Sequence, residues 1–310
     1  MKRDCMSPSE MVDVSFARSV LLGGVVRRLA YTARRNLAVL IVACSPVQPA
    51  TISADAPASR GHSVDCSLNG LRPEVLGIDG SDTTEWHGKF DMPDQPRLWQ
   101  AADMDTVISR FRDGVRLRLG PRIDAKSLIE RQRAIFAELP GEWRGEAVNG
   151  SLVLEERVGS IGSTNCIEAM LWKWQAARYP MLEHPTEFGA FVLRRNGEVR
   201  IYLSSADMVG QRLRSGLIKL VEADVAAGFE VVAHSHNHPF LFDRRVGDRM
   251  WTTEATKADV AGALAPSMTD VQLFRALRSS IGLREAWITN GLESARFMAD
   301  DFNKLVARER

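Results

Sequence analysis

Three of the six histidines in the chain lie within one short stretch, VVAHSHNHPF at residues 231–240. His234, His236 and His238 alternate with other residues, and side chains two positions apart on a strand point to the same face. Neutral imidazole nitrogens are common ligands of transition metals, zinc among them. The stretch therefore predicts a strand end that presents imidazoles to a metal ion.

A histidine cluster alone does not make a catalytic metal site. Catalytic zinc typically has three protein ligands, drawn from histidine and carboxylate side chains, and keeps a further position for water. The cluster lacks a carboxylate ligand and a general base. Histidines that only finish a strand, or a surface cluster that binds metal adventitiously, explain the same pattern. A catalytic interpretation needs acidic residues from elsewhere in the chain.

Ser267 and Asp270 form a Ser-x-x-Asp at the start of a predicted helix, in APSMTD. The order His-x-His-Pro followed by Ser-x-x-Asp resembles the JAMM motif of the JAB/MPN family of zinc metalloproteases. The run from His236 to Pro239, HNHP, is similar to the form found in the RadC-like branch of that family. The resemblance covers residues 150–310, about half of the chain.

The resemblance implies a role for each residue of the motif. His236, His238 and Asp270 would hold Zn²⁺, and Ser267 would help to stabilise the oxyanion. The family also has a glutamate near the start of an earlier strand, which activates the water. Glu187, in HPTEFGAFVLR, occupies that place in a segment similar to the family's Glu-x-Gly-hydrophobic run. The implied activity is hydrolysis of a peptide or isopeptide bond in a peptide or protein substrate.

Each of these residues also has a simpler interpretation. Ser267 and Asp270 have the spacing of a capping box, which satisfies free N–H groups at a helix start. Glu187 could be a solvated acid at a strand start, with the neighbouring His184 in a turn. The metal-binding pair could instead be His234 and His236, and His234 is therefore the alternative ligand.

Other functions compete with the hydrolase. A JAB/MPN-like fold can also serve as a non-catalytic binding or scaffold module. A zinc nucleobase deaminase requires His-x-Glu and Pro-Cys-x-x-Cys elements, and the sequence lacks them. The family separates its histidines from its serine by fewer residues than are found here. Residues 240–266 are therefore either a lid or substrate-selecting loop, or a break in the resemblance.

The elements that must position the site alternate loosely between strand and helix, which indicates an α+β fold with a mixed β-sheet flanked by helices. Its C-terminal half is expected to be a JAB/MPN-like, cytidine-deaminase-like core. Asn196-Gly197 is a strong hairpin signal, and Asn165 and Glu168 have capping-box spacing. Helices are predicted over residues 124–139, 165–178, 208–226, 265–280 and 294–309, and strands over 151–160, 186–204, 229–233 and 283–291.

Composition narrows the class of function. Lysine and arginine (40) nearly balance aspartate and glutamate (39), so no overall charge attracts nucleic acid. Hydrophobic residues make up 45% of the chain, as in ordinary globular proteins. None of the four cysteines has C-x-x-C spacing. We expect Cys166 to be a small buried hydrophobic residue, or to pair with Cys66 if the protein is exported.

The N-terminal residues 1–66 are interpreted as a basic segment followed by a Pro/Ala/Ser-rich tether. Five arginines, the apolar run LAVLIVA and then Cys44 resemble a lipoprotein signal. Cys44 would then carry a lipid anchor, the only predicted membrane contact, and the protein would lie in the cell envelope. The alternative is a basic tail of a cytoplasmic protein. Residues 67–148 are an N-terminal region of unknown fold, and 149–310 form the predicted metalloprotease domain.

Overall fold

The computed structural model describes residues 66, 71–102, 105–139, 141–210, 213–240 and 262–308. Within them the α-helices are α1 (Thr106–Leu119), α2 (Ala125–Glu138), α3 (Arg144–Leu154), α4 (Cys166–Ala176), α5 (Ser215–Ala226) and α6 (Met268–Ile281). The strands are β1 (Glu74–Val75), β2 (Glu85–Pro93), β3 (Ser160–Gly162), β4 (Phe188–Arg195), β5 (Glu198–Ala206), β6 (Glu230–Asn237), β7 (Glu285–Thr289) and β8 (Ser294–Met298). Short 3₁₀ turns cover Pro96–Trp99, Gly141–Trp143 and Asp301–Asn303.

The eight strands form one mixed sheet, in the order β1-β2-β5-β4-β6-β7-β8-β3. Strands β6 and β7 are parallel, and the other neighbouring pairs are antiparallel. The predicted α+β class with a mixed sheet is confirmed. Strand β2 lies in the predicted N-terminal region, yet it pairs with β5 along its whole length. The predicted boundary between residues 148 and 149 falls inside α3.

Helices cover both faces of the sheet because the central strands are apolar on both sides. Along β4, Ala190 and Val192 pack into one hydrophobic cluster and Phe191 and Leu193 into another. Helices α1 and α4 contribute to the first cluster, and α5 and α6 to the second. A strand buried on both faces has a continuous apolar sequence, as β4 does. The sheet therefore holds its central strands rigidly between two helical layers.

The predicted hairpin and the predicted starts of α2 and α4 agree with the structure. Asn196 and Gly197 both have positive φ, 44° and 82°, and join β4 to β5. Helix α4 begins with the predicted capping box of Asn165 and Glu168. Helix α2 has Asp124 as its N-cap and also begins with a capping box. In each case a local side-chain or backbone requirement determines where the element starts or turns.

Two predicted elements are wrong, and so is the predicted start of one helix. The run SLVL, predicted as the start of a strand, belongs to α3, because a short apolar run has no period that separates strand from helix. Residues 294–309, predicted as a helix, contain β8 and a 3₁₀ turn. Tertiary pairing with β7 takes precedence there over helix propensity. The helix predicted over 208–226 begins only at Ser215.

Cys66 and Cys166 form a disulfide, with their Cα atoms 5.2 Å apart. This distance is ordinary for a bridged pair. Cys166 is buried in the hydrophobic core, as expected, and it also forms the pairing with Cys66 that was the alternative for an exported protein. The bond ties the start of α4 to a residue 100 positions earlier in the chain.

Part of the sequence-based interpretation falls outside the described residues. Cys44 and the basic N-terminal segment lie there, as does most of the loop over residues 240–266. Among the described residues, none of the helices is both long and apolar enough to cross a membrane.

Candidate metal centre

Strand β6 carries the histidine cluster to the middle of the sheet. It lies between β4, to which it is antiparallel, and β7, to which it is parallel. His238 follows the strand, and its N–H extends the pairing by donating to the carbonyl of Thr289 at 2.9 Å. His234, His236 and His238 are all buried. The backbone of a central strand therefore positions each imidazole.

Helix α6 supplies the acid. Ser267 is its N-cap, and the predicted capping box forms: the hydroxyl of Ser267 accepts from the N–H of Asp270 at 3.1 Å. In return, the carboxylate Oδ2 of Asp270 accepts from the N–H of Ser267 at 2.9 Å. The Ser267 hydroxyl also donates to the same oxygen at 2.8 Å. The first turn of α6 thus holds the Asp270 carboxylate in one orientation.

His236, His238 and Asp270 converge on one point. The Nε2 atoms of the two histidines are 3.2 Å apart. Oδ1 of Asp270 is 3.5 Å from Nε2 of His236, and Oδ2 is 3.4 Å from Nε2 of His238. All the possible ligand atoms lie within 4.8 Å of one another, so the group could hold a metal ion. It is the one such group among the described residues.

The separation of the two Nε2 atoms is compatible with a tetrahedral metal site. Zinc bonds of about 2.0–2.1 Å to nitrogen and oxygen imply neighbouring ligand atoms about 3.3–3.4 Å apart in a tetrahedron. The carbonyl of Ala263 lies 2.6 Å from Nδ1 of His238. With Nδ1 donating to this carbonyl, a neutral His238 would have the lone pair of Nε2 free for a metal ion, an arrangement that is usual for ligating histidines.

The charges in the metal-free site are strongly coupled. Burial alone would lower the pKa of His238, but hydrogen bonding to Asp270 and the charges of Asp270 and Glu187 raise it to about 9. Burial lowers the pKa of His236, and Asp270 offsets only part of that effect. Burial alone would raise the pKa of Asp270, but the two histidines hold it well below its usual range. In the metal-free site the Asp270 carboxylate and the His238 imidazole therefore favour each other's charged forms.

Glu187 lies immediately before β4 and is buried. Gly189, two residues later, pairs with His236 on β6. The same antiparallel register brings Glu187 towards His238, two residues beyond His236. Its negative charge raises the pKa of His238, consistent with this placement. Glu187 thus lies beside the metal-binding group without belonging to it.

His234 is not part of the metal-binding group. Its ring is fully buried, with ring centroids 5.3 Å from Phe191 and 6.1 Å from Phe274. Burial, with a smaller effect of His236, lowers its pKa to about 3. Neither ring nitrogen has a hydrogen-bond partner within the described part of the chain. The structure thus brings Asp270 together with His236 and His238 and leaves His234 among apolar side chains.

Asn237 is a residue of the site to which sequence analysis assigned no role. Its side-chain oxygen accepts from the N–H of Phe188 at 2.8 Å, and its amide donates to the carbonyl of Thr186 at 2.9 Å. Both partners are direct neighbours of Glu187. Asn237 therefore holds the backbone on each side of Glu187. The available signal was its position between His236 and His238.

His184, three residues before Glu187 in the sequence, contacts a carboxylate outside the metal-binding group. His184 lies in a bend, as expected, and its Nε2 is 2.5 Å from the carboxylate of Asp207. Its ring also stacks on Tyr179, with the centroids 5.8 Å apart. These contacts hold the connection that leads into β4.

Comparison with known proteins does not assign the chain to a family. Neither the family models, nor the curated proteins, nor the solved structures include a match to the chain.

Proposed function

We propose that the protein is a zinc-dependent hydrolase that cleaves a peptide or isopeptide bond by a JAMM-type mechanism. One observation carries the proposal: two imidazole nitrogens and a carboxylate from separate elements meet at the spacing of a tetrahedral metal site. His236, His238 and Asp270 are the proposed ligands. The order of these residues in the sequence, and their resemblance to the JAB/MPN family, support the same conclusion.

Zinc suits this donor set better than other common divalent ions. Magnesium and calcium prefer oxygen ligands, whereas two imidazoles and one carboxylate are typical of catalytic zinc. Three protein ligands also leave one position for water. When bound, the ion would supply Lewis-acid chemistry for the attack of water on a carbonyl group.

Glu187 is the proposed general base. It is buried, and its charge raises the pKa of His238, which supports a role in accepting a proton from the attacking water. It would later return that proton to the leaving amine. Asn237 holds the backbone on both sides of Glu187 and so limits its movement. A base held in place in this way loses less entropy when the reaction begins.

Ser267 is proposed to stabilise the oxyanion, a role that must coexist with its cap. In the structure its hydroxyl proton points to Oδ2 of Asp270. Oxyanion stabilisation requires the hydroxyl to turn from Asp270 towards the developing negative charge. Its oxygen could still accept from the N–H of Asp270 after that rotation. One side chain can therefore serve both the helix and the reaction.

The disulfide supports a cell-envelope location. Disulfides persist in oxidising compartments and are rare in the cytosol, and Cys66 and Cys166 are bridged. Together with the signal-like sequence before Cys44, this favours an exported protein tethered by a lipid. The proposed substrate is then a cell-envelope peptide or a secreted polypeptide rather than a cytosolic conjugate.

The experiment that tests the function combines metal analysis with a substrate screen. We expect the purified protein to contain about one zinc per chain and to cleave members of a peptide library, as detected by mass spectrometry, with loss of activity after chelation. Glu187→Gln should keep the zinc and lose about 10²- to 10⁴-fold in kcat. Wild-type protein without zinc would contradict the metal site. Zinc-loaded protein in which Glu187→Gln changes no measured rate would remove the proposed base.

A further inference from the structure

Helix α3 holds the start of α6, the helix that presents Asp270. Glu146 on α3 is buried, and both of its carboxylate oxygens lie 3.1 Å from the N–H of Met268. Met268 is the first residue of α6. The N–H groups of a first turn have no partner within their own helix. Ser267 caps the N–H of Asp270, and Glu146 supplies an acceptor for a second N–H group from a different element.

Asn149 lies one turn further along α3 and holds the residue that precedes the cap. It is fully buried, and its amide donates to the carbonyl of Pro266 at 3.2 Å and to that of Val306 at 3.0 Å. Its side-chain oxygen accepts from the N–H of Val306 at 2.7 Å. Asn149 therefore joins the approach to α6 with the C-terminal end of the described chain.

Two further contacts close the arrangement around Met268. The N–H of Arg308 donates to the carbonyl of Met268 at 3.0 Å. Gly145 lies so close that a Cβ atom at that position would be 2.2 Å from the sulfur of Met268. The N–H, the carbonyl and the side chain of Met268 are thus all in contact with other parts of the fold. Two residues later in the chain is the proposed metal ligand Asp270.

We infer that Glu146 and Asn149 are positioning residues of the metal centre. The inference rests on the proposed function, since it concerns the same site. The helix start could hold Ser267 and Asp270 in a cap without help, but a cap orients the carboxylate only relative to α6. Glu146 and Asn149 determine where the whole first turn lies relative to β6, and so the distance from Asp270 to the two histidines. Their loss should move a ligand, whereas loss of an ordinary helix cap should not.

The test measures metal affinity and ligand geometry rather than activity. Full-length wild type, Glu146→Ala, Glu146→Gln and Asn149→Ala are titrated with Zn²⁺ in competition with a chromophoric chelator, and the visible spectrum of each is recorded with Co²⁺. The matched control is Asp124→Ala, which removes the capping acid of α2. Thermal unfolding of all the variants shows how much stability each substitution costs.

We expect Glu146→Ala and Asn149→Ala to bind zinc about 10- to 100-fold more weakly than wild type, the range found when a group that orients a metal ligand is removed. Their Co²⁺ spectra should also change. Glu146→Gln keeps one acceptor oxygen and should restore most of the affinity. Asp124→Ala should lose stability and keep the wild-type affinity and spectrum.

Two outcomes overturn the inference. In the first, Glu146→Ala lowers the melting temperature but leaves affinity and spectrum unchanged, which makes the contact purely structural. In the second, Asp124→Ala weakens zinc binding as much as Glu146→Ala does. If Asn149→Ala does not fold, the two Glu146 variants decide the question. A wild type that binds zinc but cleaves no peptide contradicts the proposed function alone, and the affinity series still tests the positioning.

Discussion

Asp270 takes part in the cap of α6 and is also a proposed metal ligand. Its Oδ2 closes the capping box with Ser267 and also lies 3.4 Å from His238, while Oδ1 lies 3.5 Å from His236. The cap removes rotational freedom from the carboxylate before any metal binds. A ligand that is already ordered loses less entropy on binding. The capping spacing and the metal-ligand spacing in the sequence are therefore two aspects of one arrangement.

The assignment of ligands at the residue scale predicts which histidines hold the metal. His236→Ala and Asp270→Ala should each reduce bound zinc from about one per chain to a trace, because two remaining ligands bind weakly. His234→Leu should retain the zinc, since His234 packs among apolar rings outside the group. The measurement is elemental analysis after gel filtration, with Tm recorded with and without added zinc. Zinc should raise the Tm of wild type and of His234→Leu only.

A His234→Leu variant that loses its zinc would contradict this assignment. The ligand pair would then be His234 and His236, and the cap of α6 would need to move relative to β6 to bring Asp270 to them.

At the scale of elements, Ser267 at the N-terminus of α6 has a capping role and a proposed catalytic role. Two substitutions of this residue distinguish them. Ser267→Ala should cost about 0.5–2 kcal/mol of unfolding free energy, whereas glycine is a tolerated cap that costs only a few tenths. Both variants remove the hydroxyl. If that hydroxyl stabilises the oxyanion, both should lose about 10²- to 10³-fold in kcat. Urea unfolding and steady-state kinetics measure the two effects separately. A Ser267→Gly variant with wild-type kcat would leave the cap as the only role of the serine.

The start of β4 is the second element on which the chemistry depends. Asn237 bonds the backbone on both sides of Glu187, so Asn237→Ala should free the general base while leaving the ligands in place. We expect full zinc content and a fall in kcat of about 10²-fold, the effect of a misplacement on the order of 1 Å. The control is Gln175→Ala, which removes the Gln175 contacts to the Thr186 hydroxyl and the Glu187 carbonyl and leaves the Asn237 contacts intact. Equal losses in the two variants would show that Asn237 has no special part in holding the base.

At the scale of the whole molecule, the disulfide joins residue 66 to the helical layer that covers one face of the sheet. Cys66→Ser and Cys166→Ser should each lower the free energy of unfolding by about 2–4 kcal/mol. The double variant should be no less stable than the single ones, because both remove the same bond. Chemical denaturation with and without reductant measures this. Additive losses would mean that the two cysteines contribute independently, contrary to the observed bond.

Local sequence signals predicted those parts of the fold that local physics determines. Asn196-Gly197 predicted a hairpin because both residues tolerate positive φ. Asn165 and Ser267 marked helix starts because their side chains bond the first-turn N–H groups. The dipeptide Asn290-Gly291 is also a turn signal and lies in the four-residue loop between β7 and β8, where Gly291 has positive φ and Asn290 accepts from the N–H groups of Leu292 and Glu293. Attention to that turn would have predicted β8 instead of a closing helix.

Other parts of the fold depend on partners that are distant in sequence. The apolar run SLVL is compatible with either a helix or a strand, and packing of α3 against α2 and α6 makes it helical. Likewise, no pattern within residues 74–93 predicts that β2 will pair with β5, which lies more than a hundred positions later in the chain. Such pairings are settled by burial and by the hydrogen bonds of the completed sheet.

The sequence by itself predicted that His234, His236 and His238 point to one side at the end of a strand, and that Asp270 lies in the first turn of a helix. Both follow from the periods of strand and helix, which are local. Only the tertiary structure decided which pair of histidines meets Asp270. The chain between Pro239 and Pro266 is long enough to permit either register. The choice comes from the contacts of α6 with α3 and from the pairing of β6 with β4 and β7, because these place the helix start opposite His236 and His238.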